Sequence, residues 1–213
     1  MSGDEIKNYL IKVGVETPMY CDFNEIKDKK DNISKHFEQI MLNLGLDLND
    51  DSLKETPRRV AKMYCDEIFS GLDYNNFPKI TTIENKMNYN QMLVERNINV
   101  SSTCEHHFVV IDGNAFIGYI PNKKIIGLSK LNRIVKFFSK RPQVQERLTE
   151  QIYYCLKYIL ETDDIGVVIK AKHYCVKSRG VEDTNSDTIT SKLSGDFMNQ
   201  VVRSEFFNLI NEK

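Results

Sequence analysis

The amino-acid sequence predicts an α+β domain. Three observations point there: apolar residues recur at helical spacing through the N-terminal third, runs rich in β-branched and aromatic residues begin after Pro78, and apolar side chains alternate along 165–175.

The elements follow in order. Between Asp31 and Leu48, Ile33, Phe37, Ile40, Met41 and Leu44 fall at the helical period. Thr56 and Pro57 read as an N-cap and a first-turn proline, opening a helix with Val60, Met63, Tyr64 and Ile68 that stops near Gly71. Two strands are expected at Val94–Thr103 and Phe108–Ile120, with Asp112 and Gly113 supplying a turn or bulge. Ser129 reads as the cap of a helix striped by Leu131, Ile134, Val135 and Phe138. After Arg141 and Pro142 a longer helix carries Val144, Leu148, Ile152, Leu156 and Ile159 on one face. In the strand expected at Ile165–Cys175, the odd-numbered row runs to His173 and Cys175, which would share a face. A strand near Asp187–Leu193 and a helix near Met198–Ile210 close the chain. Residues 1–30 read as peripheral, with a charged linker at Asp22–Asp31, 31–78 as a helical region and 79–213 as the main domain.

Composition narrows the functional classes. A chain of 213 residues suits one domain of moderate size, and a net charge of −1 argues against a general nucleic-acid binder. No run of 18 apolar residues exists, so no membrane span is expected. Asp4, Glu5 and Lys7 stand where a signal peptide needs an apolar run. Five irregularly spaced cysteines do not resemble a secreted disulfide framework, which leads to an expected cytoplasmic location.

The chemistry concentrates in two short clusters. Cys104, Glu105, His106 and His107 form one, and His173 with Cys175 forms the other, gathering three of four histidines and two of five cysteines. Thiolate and neutral imidazole are ligands Zn²⁺ prefers, and a Cys₂His set leaves a fourth position for water, whose pKa the ion lowers to about 7. Plainer readings make the two cysteines buried small hydrophobes or a disulfide. Spacing does not fix the histidine: Cys104, His107 and Cys175 make one triad, and His106 or His173 can substitute. The histidines left over would stand beside the bound water as proton carriers.

Ser129, Lys130 and Arg133 open their helix, where unpaired N–H groups and two cations favour an anion, and Arg179 adds a guanidinium just past Cys175. Gln145 and Glu146 lie in the first turn of the longer helix. A carboxylate there complements the helix dipole or accepts paired N–H donors from a heterocycle.

Together these segments resemble the GTP cyclohydrolase I family. The resemblance rests on Ser102–His107 (STCEHH), Gly118–Pro121 (GYIP), Ile126–Ile134 (IGLSKLNRI), Arg141–Gln151 (RPQVQERLTEQ), His173–Val181 (HYCVKSRGV) and Thr56–Lys62 (TPRRVAK), spanning about residues 31–210. It implies the tunnelling fold: an antiparallel four-stranded sheet with two helices on one face, preceded by a helical region. It also implies a homo-oligomer, a decamer with active sites at subunit interfaces. By position, Cys104, His107 and Cys175 would hold Zn²⁺, and His106 and His173 would transfer protons. Ser129 would relay a proton near the ribose. Glu146 with Gln145 would anchor guanine, and Lys130, Arg133 and Arg179, with Arg59 and Lys62, would take the triphosphate. The implied reaction hydrolyses GTP at C8 to formate and 7,8-dihydroneopterin triphosphate. Two other readings remain: a different purine- or pterin-converting enzyme of that fold, and a non-catalytic zinc module, whose site four protein ligands would close.

Overall fold

A computed structural model describes residues 2–212. The chain begins with α1 (Gly3–Lys12), opened by a capping box in which Ser2 and Glu5 each accept from the other's backbone N–H. Ile6 and Leu10 of this helix are fully buried in the main core. The first residues are therefore not peripheral. Two buried apolar residues four apart are too few to stand out as a pattern. The expected linker also holds structure, a 3₁₀ turn at Phe23–Glu25.

Helix α2 (Lys29–Asn43) ends five residues before the expected Leu48. Gly45 takes a left-handed conformation (φ 77°), with its N–H on Leu42 O and that of Leu46 on Met41 O, a Schellman closure. Helix α3 (Thr56–Lys62) has Glu55 at its N-cap, so Thr56 lies inside the first turn with Pro57 and does not cap it. The chain continues as a π-helical turn over Met63–Ile68.

Two short strands, β1 (Thr82–Glu84) and β4 (Lys124–Ile126), form an antiparallel ribbon. The main sheet contains β2 (Leu93–Cys104), β3 (Val110–Tyr119), β5 (Pro142–Gln143), β6 (Ile165–His173) and β7 (Thr188–Leu193), in the order β5-β2-β3-β6-β7. Its four long strands are antiparallel, and only the two-residue β5 runs parallel to its neighbour. The expected four-stranded antiparallel core is thus present.

Helices α4 (Leu128–Ser139) and α5 (Gln145–Leu160) pack on one face. Their buried stripes, including Leu131, Ile134, Phe138, Leu148, Ile152 and Leu156, meet Val100, Ile117, Ile165, Val167 and Ile169. Gly127, not Ser129, is the N-cap of α4. The opposite face carries α7 (Gln200–Asn211) and a 3₁₀ turn at Gly195–Met198, whose Phe206 and Phe197 pack with Phe116 and Val168. Those rings lie against the paired Gly118 and Gly166, where a Cβ would meet ring carbons at 2.8 Å.

Two local expectations fail here. Asp112 and Gly113 form no turn but sit inside β3, opposite Ser101 and Val100 and opposite Lys172 and Ala171. The irregularity is instead on β2, between Glu95 and Ile98, where Asn97 is left-handed (φ 56°). Strand β6 ends at His173, and Cys175 belongs to the single turn α6 (Tyr174–Lys177). His173 and Cys175 are therefore not side by side on a strand. Among the described residues no helix is long and apolar enough to cross a membrane.

Candidate metal centre

The end of β2 delivers Cys104, 3% exposed. A tight turn follows, closed by Cys104 N–H on Val109 O at 2.8 Å and Phe108 N–H on Cys104 O at 2.9 Å, with Phe108 left-handed (φ 53°). The turn leaves His106 and His107 exposed. Three contacts fix it. Glu105 N–H donates to Gln143 O at 3.0 Å, the Glu105 carboxylate accepts two N–H bonds from Arg147, and the Phe108 ring packs on Phe69 and Tyr64. Glu105 and Arg147 were not singled out in the sequence. Glu105 lies within the motif, but nothing local points to its partner 42 positions away.

β6 and α6 supply the other side. One donor atom each from Cys104, His173 and Cys175 lies within 4.8 Å of the other two. Both cysteines are free thiols, which removes the disulfide reading. Burial, reinforced by the neighbouring Cys104 thiol, raises the pKa of Cys175, while burial, opposed by Glu146, lowers that of His173. The imidazole is then neutral near pH 7, and a cation drawing both thiols into their thiolates would release protons.

Hydrogen bonding settles two ring states. The Gln145 amide donates to Ile169 O and Thr188 O, both 3.0 Å, and to Thr190 Oγ1. Carbonyls only accept, so Gln145 Oε1 is the atom 2.8 Å from His173 Nε2, and that nitrogen carries the proton. Among the described residues the Nδ1 lone pair of His173 has no hydrogen-bond partner. At His107, Arg179 Nη1 lies 2.9 Å from Nε2, and a guanidinium has only donors, so Nε2 offers a lone pair. His106 Nδ1 stands 3.7 Å from Cys104 Sγ.

The donor set fits a zinc-sized ion. Zn–S near 2.3 Å and Zn–N near 2.0–2.1 Å place tetrahedral donors roughly 3.5–3.8 Å apart, a small contraction from the observed cluster. The structure brings two residues of the expected triad together. Cys104 and Cys175 converge, but the histidine inside the cluster is His173, while His107 faces Arg179.

Comparison with known proteins agrees with this constellation. The GTP cyclohydrolase I family model matches residues 33–211. The chain belongs to that family. It is 57% identical over 208 residues to GTP cyclohydrolase 1 of Vibrio vulnificus (strain YJ016), covering 97% of this chain and 96% of that protein. GTP cyclohydrolase 1 of Pasteurella multocida (strain Pm70) is 53% identical, over 98% and 96% of the two chains. The protein of that name from Shewanella sp. (strain ANA-3) is 58% identical, over 92% and 91%.

The remaining residues marked by the family resemblance fall into two groups. Glu146 is exposed at the start of α5, close enough to His173 to influence its charge. Gln145 is 1% exposed, with its amide donors turned onto β6 and β7, so it is not open to a substrate as expected. Ser129 is exposed in the first turn of α4, and Lys130 Nζ donates to Lys79 O at 2.9 Å. Arg133 on α4 and Arg59 and Lys62 on α3 are exposed, and among the described residues their side chains make no hydrogen bond or ion pair. Within one chain these cations do not join the Cys/His cluster.

Proposed function

We propose that the protein is a zinc-dependent GTP cyclohydrolase I, converting GTP and water to 7,8-dihydroneopterin triphosphate and formate. The observation that carries this reading is the meeting of Cys104, Cys175 and His173 in a member of this family. Two waters enter in the hydrolytic steps at C8 and one leaves on ring closure, so the net reaction consumes one.

Cys104, Cys175 and His107 would hold the ion, His107 turning its unprotonated Nε2 from Arg179 toward the thiolates. When bound, the ion supplies a Lewis acid that lowers the pKa of water. His173, held by Gln145 with Nδ1 free, receives a proton at that atom, and His106 is the second proton carrier. Glu146 accepts the guanine N–H edge, Arg179 and Lys130 bind phosphate oxygens, and Ser129 relays a proton at the ribose. Arg133, Arg59 and Lys62, unpaired on the surface, suit a neighbouring subunit's triphosphate. The working form is then a homo-oligomer, a decamer on the family pattern, which sedimentation velocity tests. The free cysteines suit a reducing cytoplasm.

Zinc-loaded protein incubated with GTP should yield formate and a pterin that fluoresces after oxidation. The absence of both sinks the assignment. Arg179→Ala should raise KM for GTP about 10- to 100-fold through the loss of one charge-assisted contact. An unchanged KM removes Arg179 from the phosphate site.

A further inference from the structure

Immediately before β5 stands an arginine in a buried ion pair that the proposed reaction does not use. Arg141 is 0% exposed, and its Nη1 donates to Glu16 Oε1 at 2.7 Å. Its guanidinium sits 4.7, 4.8 and 4.9 Å from the ring centroids of Tyr74, Phe137 and Phe138. Tyr74 donates its hydroxyl proton to Glu16 Oε2. Among the described residues Arg141 Nε and Nη2 have no hydrogen-bond partner, so the Glu16 carboxylate is the counter-charge of a desolvated cation.

The same N-terminal segment makes a second tie. Gln151 Nε2 donates to Val15 O at 2.9 Å and Thr17 Oγ1 at 3.3 Å, while Gln151 Oε1 accepts from Gln143 Nε2 at 2.7 Å. Both ties end on the stretch 141–143, which contains β5. β5 is only two residues long, pairs Thr103 with Pro142 and Cys104 with Gln143, and takes the Glu105 N–H on Gln143 O. Two register pairs cannot hold a strand by themselves, so its placement depends on what anchors Arg141 and Gln143.

We infer that Glu16 is a positioning residue for the metal centre: through Arg141 it seats β5, and β5 aligns Cys104. This makes the N-terminal segment part of the catalytic unit. The inference rests on the metal reading given above, and its test separates the two.

Glu16→Gln keeps the shape and removes the charge. We expect Co²⁺ affinity, read from the thiolate-to-cobalt absorption band, to fall about 10- to 100-fold, the usual scale for residues supporting a metal ligand. The kcat on GTP should fall in step, with KM changed less than about twofold, because no substrate contact is lost. In the metal-free protein, alkylation of Cys104 followed by peptide mapping should quicken as the end of β2 loosens. Glu16→Asp, which keeps the charge and withdraws it by one methylene, should recover part of each effect, and it serves alone if the glutamine variant does not fold. Wild-type Co²⁺ affinity, kcat and Cys104 alkylation in Glu16→Gln, or in Glu16→Asp where the glutamine variant does not fold, overturn the inference, even if the melting temperature drops. A missing cobalt band in the unsubstituted protein counts against the metal reading alone, since the alkylation rates still decide the role of Glu16.

Discussion

Cys175→Ser is expected to leave the fold intact and to remove the metal. Cys175 is only partly buried, on the single turn α6, and a serine hydroxyl fits its space. A hydroxyl is a poor substitute for a soft thiolate, so metal content per chain should fall from near one to near zero. GTP turnover should drop by more than about 100-fold, since losing even an outer supporting contact costs 10- to 100-fold. The two histidines then separate. His107→Ala should lose the ion as well, whereas His173→Ala should keep it and lose turnover, because the His173 ring is held by Gln145 and acts on protons. The reverse pattern would make His173, whose donor atom lies within 4.8 Å of both cysteine sulfurs, the ligand. Metal analysis and kinetics on the same three preparations decide between these outcomes.

Gly113→Ala is expected to produce the largest loss of stability. A Cβ at position 113 would stand 2.1 Å from Lys170 O and 2.5 Å from Ala171 Cα. Both are backbone atoms of β6, paired on its other side with β7, and neither can swing away. Prying β3 from β6 should cost about 3 kcal/mol, the upper range for overpacking. The metal-free protein's urea midpoint measures it. The register pair Ile111–His173 is two residues along the same ladder, so metal affinity should weaken too. A loss under about 1 kcal/mol would mean that the two strands part here without strain.

The legibility of the sequence followed the range of the forces involved. The apolar stripe of α5 and the alternation along β6 are local patterns, and both elements begin close to where the periodicity puts them. The Schellman end of α2 was also signalled, by Gly45, though the helical period masked it. Gly113 misled because a glycine marking a turn and a glycine admitting a neighbouring strand are the same letter. Strand β6 continued on paper to Cys175 because alternation does not register one helical turn inserted after His173. Even positions Gly166 and Val168 are buried as well, since α7 and Phe197 cover that face.

The candidate site divides along the same line. Residue chemistry alone named the two cysteines and the three histidines, because thiolate and imidazole carry their reactivity with them, whereas Glu146 was marked by the family resemblance. It could not tell that Gln145 would face inward and set the tautomer of His173, since that depends on carbonyls 24 and 43 positions away. Nor could it connect Glu16 with Arg141, 125 positions apart, as only a packed interior strips water from the pair and makes it count. The order of side chains determined which reactive groups this protein owns and the local shapes that bear them. Their meeting, orientation and support were decided by folding, where distant segments share one desolvated space and each polar atom must find its partner there.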